Sequence, residues 1–180
     1  MEKIIRQIER KRESGIIIHD FTTLPLVLQR KTPLASHLAN MFMDGVPERP
    51  KTVTGLPQVM TEWEMVTSPW TEHAQKAGYK GFSNAQHRIV QDYFWANVQQ
   101  VLATEAPVYD GEVTGMIDIL VATPDILFIL DFKPDIHKCV DSAMSQLFRY
   151  REMLIKNAKL DRNIVKCYAF DDKNCYKLIS

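Results

Sequence analysis

The run "ILFILDFK", residues 126–133, limits what this chain can fold into more than any other stretch. Ile126 to Leu130 is unbroken apolar sequence and reads as a buried strand. Asp131 and Lys133 then follow on the same run. A carboxylate and an ammonium at the end of a core strand are costly to desolvate unless they are paired or bound to something. A further acid, Asp118, lies in the apolar segment "GMIDILVA" just upstream. The fold must therefore accommodate two acids and a lysine at the edge of its core.

The rest of the chain offers such a core. With 180 residues, 46% of them hydrophobic and 24% charged, it suits one folded domain and not a disordered segment. The formal net charge is zero, so any contact with nucleic acid must come from local charge. Cys139, Cys167 and Cys175 are odd in number and form no Cys-x-x-Cys pair. That spacing argues against a disulfide framework, a four-cysteine zinc site and an iron–sulfur cluster. Reduced thiols in an intracellular, cytoplasmic protein are the simplest reading. The opening residues are charged and lack a secretory apolar core, and no apolar stretch reaches the length of a membrane span, so no membrane partner is expected.

Periodicity divides the chain in two. In the first part, 1–82, residues 2–13 read as a short amphipathic helix, "GIIIHDF" as a strand, 34–43 as a second helix, and 47–69 as irregular. In the second, 83–180, a helix is expected from an N-cap at Ser83 through Val98, Val101 and Leu102. Three strands follow ("APVYDGEV", "GMIDILVA", "ILFILDFK"), then an amphipathic helix over 137–158, then the strands "NIVKCYAF" and "CYKLIS" around the turn "DDKN". The fold class expected is α/β (α+β), a central mixed sheet flanked by helices, with a helical and irregular N-terminal region.

If Val121 pairs with Ile126 across the loop "ATPD", Asp118 lies opposite Ile129, and Asp118, Asp131 and Lys133 share one face. The two acids are then diagonal neighbours, with Cβ atoms roughly 7–8 Å apart, a gap suited to a divalent cation. Such an ion, Mg²⁺ or Mn²⁺, makes hydroxide near neutral pH and compensates charge on transition-state oxygens. Lys133 on the same face can orient or deprotonate the water and meet the phosphate. The carbonyl of Phe132 can complete the ligand set.

In order, Gly115 to Asp118, Asp131 to Lys133, and Gln146 to Tyr150 resemble the Gly-x-x-Asp, (Asp/Glu)-x-Lys and Gln-x-x-x-Tyr motifs of the PD-(D/E)XK nuclease superfamily, RecB-type branch. The resemblance covers about residues 83–170 and implies a restriction-endonuclease-like core. It also implies catalytic roles for Asp118, Asp131, Lys133, Gln146 and Tyr150. His87, on the helix before the first strand, and Glu105, at the start of that strand, match a frequent histidine and a frequent acidic position and are further metal-ligand candidates. DNA as substrate, an exonuclease or a single-strand- or flap-directed activity, and a setting in recombination, repair or phage replication are likewise what the resemblance implies.

Arg149, Arg151 and Lys156 lie in a basic stretch that would suit a nucleic-acid backbone, against the plainer reading of a solvated helix end. Trp63, Trp70 and Tyr79 could stack on unpaired bases, with core burial as the competing reading. Two other classes of function stay open. One is a non-catalytic nucleic-acid-binding or assembly protein that retains the fold. The other is a protein-interaction factor, phage- or virus-encoded among the options, that works through residues 1–82. A homo-oligomer and a replication or recombination protein partner stay open too.

Overall fold

The computed structural model describes residues 9–13, 16–20, 46–47, 51–53, 55–79, 85–111 and 113–180. Near the N-terminus, β1 (Glu9–Glu13) pairs antiparallel with β2 (Ile16–Asp20), and β2 with β3 (Val46–Pro47). The strand expected around Ile16–Ile18 is present, but the helix expected over 2–13 gives way to strand at Glu9–Glu13. A strand of three consecutive isoleucines satisfies its backbone groups only by pairing. The segment just before it supplies that pairing at the expense of a short helix whose own propensity is weak. The helix expected over 34–43 and the cap expected of Ser83 lie outside the described residues.

A seven-stranded mixed sheet forms the centre. Its path runs from β4 (Lys51–Thr52) through β7 (Val113–Ala122), β8 (Leu127–Phe132), β9 (Val165–Phe170) and β10 (Cys175–Leu178) to β5 (Trp63–Met65), with β6 (Val101–Asp110) also paired to β7. β8 and β9 are parallel. A parallel pair needs a crossover, and α3 (Val140–Ala158) provides it. α1 (Pro69–Ala77) and α2 (Ala85–Asn97) cover the other face.

The sheet is apolar on both sides. Leu120, Ile129 and Ala169 pack with Met144, Leu147 and Leu154 of α3. Ile119, Leu130, Phe132 and Phe170 pack with Ala74 of α1 and Val90 and Phe94 of α2. That double burial is why residues 126–130 read as continuous apolar sequence instead of alternating.

Three local readings change. The helix expected to run through Val98, Val101 and Leu102 stops at Asn97, and Val101 opens β6. Val101 and Leu102 fit helical spacing, but pairing along the whole of β7 captures them as strand. The region expected to be irregular, 47–69, holds the short strands β4 and β5, and α1 begins at its end. Ser68 caps it by accepting from the Trp70 N–H at 3.3 Å, Pro69 takes its first turn, and Gly78 ends it at φ 70. Trp70 packs against Phe94 and Phe128, and Tyr79 meets Phe132 edge-on and hydrogen-bonds Asp172, so both serve the core. Trp63 donates to Asp141 and stands edge-on to Tyr176.

The third change is the register of the central hairpin. Leu127 faces Ala122 and Leu130 faces Ile119, because Thr123 closes a tighter turn with Ile126 through both its N–H and its hydroxyl. The shift from the expected pairing is two residues, so each side chain keeps its face. One step beyond the Ile119–Leu130 pair, Asp118 comes directly opposite Asp131 instead of diagonal to it. There the β7–β8 ladder ends. The same edge of β7 is next occupied at Val113 and Thr114, by β4. Residues 115–118 thus border a gap in the sheet, a fork between β4 and β8.

The loop leaving the fork is held from below. Asp171, 2% exposed, accepts from the backbone N–H groups of Ile136, Lys173 and Asn174 at 3.1, 2.7 and 2.6 Å. Asp171→Ala should therefore cost about 3 kcal/mol, since it strands a buried N–H and removes three charge-assisted bonds. A urea midpoint shifted by less than a fifth of that would show that the loop does not depend on this carboxylate.

Candidate functional site

The fork collects most of the residues singled out in the sequence. Asp118 Oδ2 lies 3.2 Å from His87 Nδ1 and accepts the Phe132 N–H at 3.1 Å. The carboxylate thus stands where a strand carbonyl of β7 would be. Asp131, 1% exposed, accepts from Lys133 Nζ at 2.7 Å through Oδ1; its Oδ2 is buried, and its carboxyl group is within hydrogen-bonding reach of Asp118. His87 reaches the fork from the far face by standing edge-on to the Phe132 ring, centroids 5.5 Å apart.

Burial pushes the Asp131 carboxyl up to about 7; Lys133 opposes that shift and the charge of Asp118 adds to it. Burial would also raise Asp118, but the hydrogen bond from His87 and the charge of Lys133 hold it below the ordinary carboxylate range. His87 is raised, chiefly by its bond to Asp118. Lys133 is raised too: burial works against its charge, but the two acids outweigh it. As found, Lys133 is a cation.

On α3, Gln146 Nε2 donates to the Tyr150 hydroxyl, which lies beside the Met116 backbone inside the gap. Burial first, and then the charge of Asp131, push the Tyr150 phenol up to about 12, so it stays protonated beside the acids. The Tyr150 ring lies over Gly115. A Cβ there would stand 2.2 Å from Cε1 and 2.6 Å from Cδ1 of that ring, closer than real Cβ atoms come. The glycine three residues before Asp118 thus has a steric cause.

Of the other candidates, Glu105 is joined to Asp118 only through Gln91, while Arg149, Arg151 and Lys156 are engaged elsewhere. Glu105 is opposite Asp118 on β6, in mid-strand and not at its start, with φ 54. Its carboxylate accepts from Gln91 Nε2 at 2.5 Å. A left-handed residue inside a strand costs on the order of 1–3 kcal/mol and persists only where the surroundings hold it. Arg151 is 4% exposed, with its guanidinium over Phe148, and so is withdrawn from any nucleic-acid backbone. Arg149 donates to the Pro57 carbonyl at 2.8 Å, and Lys156 pairs with Asp110. Gln91, four residues past His87 on α2, was not singled out in the sequence; its spacing from His87 was the available signal.

The donor set can be weighed against a cation. Among the described residues no group of three or more His, Cys, Asp or Glu side chains stands in metal-holding geometry. Two facing, buried carboxyl groups within hydrogen-bonding reach of each other are present instead. Mg²⁺ keeps several waters and is commonly bound by one or two carboxylates plus substrate oxygens, so this pair fits a hard, water-rich cation better than a histidine-rich site. Comparison with family models, curated proteins and solved structures finds no match.

Gly115→Ala should destabilise the protein by about 2–3 kcal/mol by displacing the Tyr150 ring. In a Tyr150→Ala background the same change should cost under about 0.5 kcal/mol, while in Tyr150→Phe it should stay as costly as in wild type. Equal costs in all three backgrounds, read from denaturation midpoints, would dismiss the interlock.

Proposed function

We propose that this chain is a metal-dependent deoxyribonuclease of the PD-(D/E)XK type, RecB-like, with a restriction-endonuclease-like core over 83–180. The observation that carries the reading is the buried pair Asp118 and Asp131, facing each other within hydrogen-bonding reach beside Lys133. Asp118, Asp131 and the Phe132 carbonyl would hold Mg²⁺ or Mn²⁺. When bound, the ion would acidify a water and offset charge on the phosphate oxygens.

The chain's own groups supply the rest. Lys133, already a cation, meets the negative charge that grows on the scissile phosphate and orients the attacking water. Gln146 is held by Tyr150 on the face of α3 above the acids, so its amide can hydrogen-bond that water or a phosphate oxygen. His87 orients Asp118 through Nδ1. The exonuclease or single-strand leaning, and a role in recombination, repair or phage replication, rest on the motif resemblance alone.

End-labelled linear and circular DNA incubated with Mg²⁺, Mn²⁺ or EDTA tests the reading. Cleavage should require the metal, and Asp131→Asn should lower it at least about a hundredfold. A rate within about tenfold of wild type, roughly 1.4 kcal/mol, would remove Asp131 from the chemistry. DNA binding without cleavage under any metal would favour a non-catalytic nucleic-acid-binding protein instead.

Lys133→Ala should keep Mn²⁺ binding, measured by calorimetry, while slowing turnover by about a hundredfold or more. Loss of Mn²⁺ binding in a folded Lys133→Ala protein would contradict this division of roles.

A further inference from the structure

Gln91 has no part in the chemistry proposed above, yet it is built into the site. It is 6% exposed, and its Nε2 donates to Glu105 Oε1 at 2.5 Å and to the main-chain carbonyl of Asp118 at 3.3 Å. His87 lies one turn earlier on the same helix and meets the carboxylate of that same Asp118. α2 therefore grips Asp118 at two points, the side chain through His87 and the main chain through Gln91.

The grip falls where the sheet gives Asp118 least support. On one edge β7 has lost β8 and not yet gained β4. On the other it faces Glu105, whose backbone is left-handed. Strand pairing that holds its neighbours Ile119 and Ile117 is thus irregular at Asp118 itself. A buried amide with two protons suits this position, because it satisfies the β7 carbonyl and the β6 carboxylate together.

We infer that Gln91 is a positioning residue that fixes the main chain of Asp118, so that its carboxylate stays between His87 Nδ1 and the Phe132 N–H. Its importance for function rests on reading Asp118 as a ligand of the nuclease site; the positioning itself is measurable without a metal.

The Phe132 amide is the reporter, since it donates to Asp118 Oδ2. In the metal-free full chain, Gln91→Met removes both hydrogen bonds with little change of shape. It should speed hydrogen exchange at Phe132 by about tenfold, with the Leu130 and Phe170 amides unchanged. The exchanged pair Gln91→Glu/Glu105→Gln restores a carboxylate–amide bond between α2 and β6 but returns no donor to the Asp118 carbonyl. It should bring the thermal midpoint back towards wild type and leave Phe132 fast. Unchanged protection at Phe132 in Gln91→Met overturns the inference. So does its full recovery in the exchanged pair, which would mean that Gln91 serves Glu105 alone. Calorimetry with Mn²⁺ on wild type separates the two readings: no binding there, with Phe132 behaving as expected, ends the nuclease reading and leaves the positioning role standing.

Discussion

The site depends on an interrupted ladder. β7 and β8 pair from Ala122–Leu127 to Ile119–Leu130 and then part. A strand edge left open inside a core must have its backbone groups satisfied some other way. Here side chains do it: Asp118 accepts the Phe132 N–H, and the Tyr150 hydroxyl lies beside the Met116 backbone. Each group that closes the gap is also a polar group brought to one spot. The break in regular structure and the concentration of chemistry have the same origin.

The electrostatics follow from that placement. Two carboxylates cannot face each other in a buried setting with both charges unopposed. Lys133 compensates one of them and His87 tethers the other. The balance is incomplete, since burial and the charge and hydrogen bond of Asp118 raise the Asp131 carboxyl to about 7. An apolar side chain at 131 would fit the surrounding core with less cost. Keeping an acid there makes sense where a cation or a substrate group completes the set, which is the pattern expected when stability is traded for function.

Much of this was legible in the sequence. The run 126–130 announced a buried strand because both its faces are covered, and the three motifs appeared in order because they sit on consecutive elements. Register was harder. Period-2 alternation is blind to a shift of two residues, so the faces of Asp118 and Asp131 were legible while their direct opposition was not. That depended on the Thr123 hydroxyl tightening the turn. Glu105 was placed at a strand start because helical spacing ran on through Leu102, and its left-handed backbone leaves no mark in composition. Arg151 looked like surface charge, since sequence does not reveal which arginine of a helix turns inward over Phe148. α1 carries its own sequence signal, since Ser68, Pro69 and Gly78 bracket it as a cap, a first turn and a stop.

The two helical layers explain why a fork can serve as a site at all. α2 packs on one face of the sheet and α3 on the other, and an intact sheet would keep their side chains apart. Where the ladder opens, His87 passes from the α2 side to Asp118, and Tyr150 from the α3 side reaches the backbone of β7. Gly115 makes the second approach feasible, because any Cβ would meet the ring. Phe132 bounds the opening from the first side, with its ring under His87 and its N–H on Asp118. The residues between 115 and 133 therefore act less as two strands than as a frame, through which groups from both layers meet the same pair of acids.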